Sequence, residues 1–185
     1  MVGARLRDLR SVVHYLRTRR DLDARRLAVW GDSFSAPNSP EQDLKLPLGI
    51  REEASSSEPL GGLLALLFGL YEEDVRGVYV RGGLAGFHSA LSSPFLYLPH
   101  DVVIPGALMA GDLSALAAGL APRPLALIGL VDGLNRTADQ KTVEAAYAHT
   151  RKAYEAANAR DRLAVAGVEN APAPGPWFLE TLNGR

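Results

Sequence analysis

The sequence predicts an α/β fold in which a parallel sheet of about four strands carries helices on both faces. Four short apolar runs, at residues 26–30, 75–81, 124–130 and 163–168, have the length and composition of strands buried on both faces. Helical segments separate them, and repeated βαβ units of this kind form a parallel sheet with right-handed crossovers. With 185 residues, 47% of them hydrophobic, residues 1–185 are expected to form a single domain.

The segments between the strands differ in how their apolar residues are spaced. Helices are predicted over residues 4–18, 60–71, 112–120 and 137–158, with a last helical turn over 176–182. In the first, Leu6, Leu9 and Val13 recur at helical spacing among arginines, which indicates one buried stripe. Residues 60–71 are apolar nearly all round and predict a core helix. Residues 35–58 and 84–111 are rich in proline and predict loops.

Composition argues against several classes of function. The 20 basic and 21 acidic residues nearly cancel and are dispersed, so no nucleic-acid partner is expected. The chain has no cysteine, and its four scattered histidines form no metal-binding motif, so neither a metal nor another cofactor is expected. The most apolar run, 60–70, is too short to cross a bilayer, and no signal peptide is recognisable. These features predict a soluble protein without a membrane partner, with its cellular location left open.

The strongest local motif is WGDSFS, residues 30–35, which directly follows the first predicted strand. A serine hydroxyl becomes an effective nucleophile when a tight turn holds it out of the sheet within reach of a base. Gly31 gives room for such a turn and places Ser33 at a nucleophile elbow, although Ser35 stands where the strict pattern has a second glycine. The alternative is an ordinary Gly-Asp-Ser turn at the end of a strand.

A carboxylate follows the third strand, where it could assist that serine. Asp132 lies in the segment LVDG, just past the run 124–130. Because the carboxyl ends of parallel strands meet at one edge of the sheet, Asp132 could orient an imidazole there. The alternative is that Asp132 and Gly133 form an ordinary turn.

The order of these segments resembles the carboxyl-terminal part of an α/β-hydrolase and is similar to the acetyl xylan esterase-like enzymes. The resemblance spans nearly the whole chain and is carried by the first helix and by WGDSFSAPN, EPLGGLLALL, VRGVYVRGG, PHDVVIPGAL and GDLSALAAGLAPRPLALIGLVDG. It implies a truncated α/β-hydrolase fold with the last four of the usual eight strands. It also implies a serine carboxylesterase that hydrolyses small carboxylic esters through an acyl-enzyme on Ser33. Asp132 would be the triad acid, and the Phe34 amide would form part of the oxyanion hole.

Two departures from the family pattern bear on the mechanism. The triad histidine normally follows the last strand, but VENAP, residues 168–172, contains none. The early loop that supplies a second oxyanion donor is absent too, and loss of one donor costs about 10²–10³ in turnover, so a slow enzyme is expected. His88 and His100 both follow the second strand, and His100 is the preferred base because its proline-bracketed loop could fold back over Ser33. The alternative is a hydrogen bond of His100 within its own loop.

The missing histidine leaves a second interpretation open. The chain could be a non-catalytic hydrolase-like remnant or accessory module that binds carbohydrate or a partner chain. Under either interpretation residues 26–30 would form an uncovered edge strand, which exposes unpaired backbone groups. A homodimer or higher homo-oligomer is therefore expected.

Overall fold

A computed structural model describes residues 1–44 and 54–184. In chain order its elements are α1 (Val2–Thr18), β1 (Val29–Asp32), α2 (Leu60–Tyr71), β2 (Val78–Arg81), α3 (Phe87–Ala90), α4 (Ala107–Ala110), α5 (Leu113–Ala118), β3 (Leu125–Ile128), α6 (Gln140–Ala146), α7 (Ala148–Ala156), β4 (Leu163–Ala166) and α8 (Pro174–Asn183). Single 3₁₀ turns lie at His100–Val102, Arg160–Arg162 and Val168–Asn170. No helix within the described residues is long and apolar enough to span a bilayer.

The four strands form one parallel sheet in the order β1-β2-β3-β4. Asp32, Arg81, Ile128 and Ala166 lie in register across it, so all four strands end at the same edge. This topology confirms the predicted α/β class with its four-stranded parallel sheet. It also brings the loops that follow the strands together at the carboxyl edge, where ligands bind in open α/β sheets.

Helices cover both faces of the sheet, as predicted. On one face the buried side chains of β2, β3 and β4 pack against α1, α2, α5, α6 and α7 in the main core. On the other face, Tyr79, Ala126 and Ile128 pack against Trp177 and Phe178 of α8. The alternation of Val78, Tyr79 and Val80 between the two faces is the period-two pattern of a strand.

The boundaries of α2 match the prediction, whereas several other elements differ from it, and the short helices α3 and α4 lie within residues 84–111, which were predicted as loop. The first strand was predicted at 26–30 but lies at Val29–Asp32, because Gly31 and Asp32 also join the ladder with β2. The helix predicted over 137–158 is two helices, α6 and α7. They meet at Tyr147, whose side chain is 1% exposed and packs in the main core.

A carboxylate at the end of α2 anchors α1. Glu72 accepts hydrogen bonds from Arg10 Nε at 2.7 Å and from Arg17 Nη2 at 2.7 Å. These bonds, first from Arg10 and then from Arg17, hold the pKa of the Glu72 carboxyl below its ordinary value despite its burial. The two helices are therefore tied together at one end by charge and along their lengths by apolar packing.

Within the part of the chain that the structure describes, β1 is paired with a strand on one side only. Val29 N–H donates to Gly77 O and Ser33 N–H donates to Arg81 O, so the bonds to the neighbouring strand come from alternate residues of β1. The residues between them, Trp30 and Asp32, direct their backbone N–H and C=O groups away from β2. The Trp30 side chain beside them is 45% exposed. This edge is the kind of surface that pairs with another chain.

We expect the chain to associate through β1. Size-exclusion chromatography with light scattering should give at least twice the 19.8 kDa of one chain. Trp30→Glu should shift the protein toward monomer, because a two-fold pairing would bring like charges together in an apolar contact. Val12→Glu, on an exposed part of α1, is the matched control and should leave the mass unchanged. A wild-type mass of 19.8 kDa at every concentration would contradict the expectation.

Candidate functional site

The loops after β1, β2 and β3 meet at the carboxyl edge of the sheet and bring predicted site residues to it. Ser33 directly follows β1, and Asp132 follows β3 after the bridge residue Val131. Neighbouring strands are about 4.8 Å apart, so positions on β1 and β3 are separated by about 10 Å across β2. An imidazole between the two residues would be needed to connect Ser33 to Asp132 as a triad.

The Ser33 hydroxyl lies against the start of α2. Its Oγ accepts a hydrogen bond of 3.1 Å from the N–H of Glu58, which precedes the N-cap residue Pro59. On its other side is Gly82, where a Cβ would lie 3.0 Å from Ser33 Cβ. The half-buried hydroxyl is thus enclosed by the loop after β2 and by the amino end of a helix.

Glycines allow α2 to approach β1 backbone to backbone. A Cβ on Gly31 would lie 2.2 Å from Gly61 O, and a Cβ on Gly61 would lie 2.7 Å from Asp32 O. Real Cβ atoms do not approach backbone atoms so closely, so no larger residue fits at Gly31 without displacing the helix. Gly31 therefore serves helix packing, and this contact brings Glu58 to the Ser33 hydroxyl.

The backbone around Ser33 differs from the expected nucleophile elbow. Among the described residues other than glycine, only Asn135 and Asn158 have positive φ, so Ser33 is not in the left-handed region. Residues 33–44 form turns and bends in place of a helix, because Pro37 and Pro40 interrupt this segment. The hydroxyl is held by its bond to Glu58 N–H and not by a strained strand-to-helix turn.

The Phe34 amide is positioned as a free donor beside the serine. The Phe34 side chain is 84% exposed, and its N–H meets no acceptor within residues 1–44 and 54–184. A donor next to the nucleophile with no internal partner can bind a developing oxyanion. Its role in the oxyanion hole remains a prediction.

Asp132 uses one carboxylate oxygen to close its own loop. Oδ1 accepts hydrogen bonds of 2.9 Å from the N–H groups of Leu134 and Arg136. This is the ordinary turn that the sequence left open as an alternative. The second oxygen, Oδ2, has no hydrogen-bond partner in the described part of the chain and could still accept from an imidazole. The assignment of Asp132 as triad acid therefore stays a prediction.

His100 lies in surroundings different from those expected. It begins a 3₁₀ turn and lines a cavity of about 450 Å³ together with Leu67 and Tyr71 from the second half of α2. The Ser33 hydroxyl is at the other end of α2, and the helix, at 1.5 Å per residue, is about 16 Å long. The loop does not fold back as expected, and His100 makes no hydrogen bond to Ser33 or Asp132 in the described structure.

His88 is the histidine whose ring is held by a carboxylate. His88 Nδ1 lies 2.9 Å from Asp112 Oδ2, and the side chain is 76% exposed. Asp112 also caps α5 through Leu113 N–H and accepts from Phe87 N–H. Burial of Asp112 favours its neutral form, but the bonds from the His88 ring and from these amides outweigh it and lower the carboxyl pKa. Because Nδ1 is bonded to Asp112, Nε2 is the ring nitrogen of His88 that is left to act as a base.

A pair of buried asparagines, not singled out from the sequence, joins the loops of this edge. Asn38 Nδ2 donates to Ser55 O and Leu134 O, and Asn135 Nδ2 donates to Ala36 O and Ser55 O. Asn135 has φ +55°, a conformation that asparagine tolerates better than most residues. The segment Gly133-Leu134-Asn135 after a strand could have indicated such a turn. The two side chains keep the loops after β1 and β3 at fixed positions beside Ser33.

The glycine contact predicts a stability test. Gly31→Ala should lower the free energy of unfolding by about 1–3 kcal/mol, because the added methyl group meets the Gly61 carbonyl. Gly3→Ala, where a Cβ meets nothing within 4 Å, should raise it by about 0.5–1 kcal/mol. Urea denaturation measures both. Equal effects of the two substitutions would show that the close approach of α2 is not required.

Comparison of this chain with protein-family models, curated proteins and solved structures finds no match in any of the three. Any assignment of function therefore rests on the geometry of the residues at the carboxyl edge. At the carboxyl edge it combines a half-buried serine beside a helix terminus with a carboxylate-held histidine in the loop after the neighbouring strand.

Proposed function

We propose that this chain is a slow serine carboxylesterase that acts on small esters through an acyl-enzyme on Ser33. The observation that carries the proposal is the hydrogen bond from Glu58 N–H to Ser33 Oγ at the amino end of α2. An N–H donor stabilises the alkoxide form of a hydroxyl more than the neutral form, and the positive end of a helix dipole adds to this effect. Ser33 is thus the hydroxyl best placed at this edge to become a nucleophile.

The amides around Ser33 support stabilisation of an oxyanion. The Phe34 N–H has no acceptor among the described residues, and the N–H groups of the first turn of α2, from Leu60 to Gly62, have no partner within the helix. Donors fixed before the reaction stabilise developing negative charge without reorganisation. They would receive the carbonyl oxygen of an ester when Ser33 Oγ attacks its carbonyl carbon.

The reaction then follows the usual two steps of acyl transfer. A base accepts the Ser33 proton as the Oγ–carbon bond forms, and it returns the proton to the alcohol as the ester C–O bond breaks. Water, deprotonated by the same base, attacks the acyl-enzyme and releases the carboxylic acid with the Ser33 hydroxyl restored. An exposed site with few fixed contacts suits small activated esters and low turnover.

The geometry favours His88 over His100 as the base. His88 lies on α3, in the loop that begins with Gly82 beside Ser33, and Asp112 holds its ring. A carboxylate on Nδ1 selects the tautomer whose Nε2 can accept a proton. His100 lies beside the far half of α2 and has no such partner in the described structure. Asp112 therefore replaces Asp132 as the orienting carboxylate in this proposal.

The second candidate is a non-catalytic hydrolase-like module. It is favoured by the absence of a histidine hydrogen-bonded to Ser33 within the described residues, and by the use of Asp132 Oδ1 in its own loop. Such a module would keep the sheet and bind a ligand without turnover. Loss of ester hydrolysis on removal of Ser33 distinguishes the enzyme from this candidate.

Ester hydrolysis should depend on Ser33. We expect Ser33→Ala to lower the hydrolysis rate of p-nitrophenyl acetate at least about tenfold, to the background of non-specific surface reaction, because the acyl group then has no acceptor. Ser35→Ala, two residues away, should change the rate less than about twofold. Equal rates for Ser33→Ala and the wild type would remove the nucleophile assignment and favour the non-catalytic module.

The base should be revealed by a comparison of two histidine substitutions. His88→Gln should lower both kcat and kcat/KM at least about tenfold, toward the background rate of Ser33→Ala, because general-base catalysis is lost. His100→Gln should leave both nearly unchanged. The reverse ranking would return the role to His100. If neither substitution changes a rate that depends on Ser33, no histidine of this pair is the base.

A further inference from the structure

A second cavity lies at the opposite end of the strands from Ser33. It has a volume of about 810 Å³ and opens where β2 and β3 begin, between the end of α1, the 3₁₀ turn before β4 and the end of α8. We call it the amino-end cavity; its lining includes the five arginines Arg17, Arg25, Arg76, Arg123 and Arg162. Its volume is within the range of small-molecule sites, about 300–1,000 Å³.

The described residues of the lining include more positively charged side chains than negatively charged ones. Among the described residues of the lining, five arginines stand against two acids, Glu73 and Asp74, which is an excess of three positive charges. Arg17 is paired with Asp74 and also with Glu72 of the neighbouring segment. The other four arginines form no ion pair with any carboxylate of the described residues. Guanidinium groups brought together without counter-charges repel one another, and an anion between them would relieve that repulsion.

Several of these guanidinium groups are held in place by backbone carbonyls. Arg76 Nε donates to Arg25 O at 3.0 Å, and Arg123 Nη1 donates to Glu72 O at 3.1 Å. A guanidinium has five N–H groups, so each arginine keeps donors for a ligand. Groups that are already fixed lose less conformational entropy on binding. These guanidinium groups are therefore already held in position before an anion binds.

We propose that the amino-end cavity binds a small anion with two or more phosphate groups. The planar fork of arginine matches pairs of phosphate oxygens, and phosphate groups carry more charge per volume than carboxylates. The negative charge of pyrophosphate is comparable in size to the excess positive charge of the lining. A concave site between loops suits a compact ligand better than the extended backbone of a nucleic acid. The proposal does not depend on Ser33, because the two sites lie at opposite ends of the sheet.

Calorimetric titration with inorganic pyrophosphate tests the proposal. The wild-type chain should bind it at physiological salt, and the double substitution Arg76→Gln with Arg162→Gln should weaken binding at least about tenfold. Both side chains are exposed, so their loss should leave the fold intact, which equal unfolding midpoints without ligand would verify. The matched control is Arg5→Gln with Arg20→Gln, two exposed arginines outside the cavity, and it should change binding less than about twofold.

Several results would overturn the proposal. Absence of pyrophosphate binding at millimolar concentration would remove the site. Equal weakening in the control variant would show that overall charge, not the cavity, attracts the anion. Citrate bound as tightly as pyrophosphate would contradict the preference for phosphate. Duplex DNA that displaces pyrophosphate at equal phosphate concentration would indicate a nucleic-acid surface. Ester hydrolysis should be the same in both double variants, so this test and that of Ser33 fail separately.

Discussion

The contact of Gly31 with Gly61 sets the position of nearly everything at the carboxyl edge. Because neither residue has a side chain, the first turn of α2 rests directly on the backbone of β1. The residue before its N-cap then lies within hydrogen-bond distance of Ser33 Oγ. A wider separation would leave the Ser33 hydroxyl without its hydrogen bond from the Glu58 N–H. The same glycine that the sequence motif assigns to a sharp turn thus acts by allowing close helix packing.

The sheet separates two chemically different ends. At the carboxyl edge lie Ser33, the Phe34 amide, which meets no acceptor among the described residues, and the pair of His88 with Asp112, the groups of the proposed acyl transfer. At the amino edge, arginines from segments far apart in sequence surround a cavity with few acids. Four-residue strands, at about 3.3 Å per residue, separate these ends by roughly 13 Å. Electrostatic influence between them is weak at physiological salt, so each end can act without the other.

The sequence predicts a helix or strand well where the residues of that segment alone determine its bounds. The bounds of α2 match because its apolar residues cover every face, and the four strands are found because their apolar runs are short and end at glycine or polar residues. The limits of β1 depend on Gly61 and Arg81, which are about 30 and 50 residues away, so local pattern could not give them. Ser33 and Asp132 lie at the predicted edge because parallel strands end together. The pairing of His88 with Asp112 and the path of the loop that carries His100 depend on tertiary packing, which no local motif encodes.

We propose that Ser33 is a nucleophile. Reaction of the purified chain with a fluorophosphonate, followed by peptide mass spectrometry, tests it most directly because the reagent leaves a stable adduct on an activated serine. The proposal predicts one adduct, on Ser33, that is absent in Ser33→Ala and slower to form in His88→Gln. Absence of an adduct on Ser33, with the chain folded and the reagent active toward a known serine hydrolase, would contradict it.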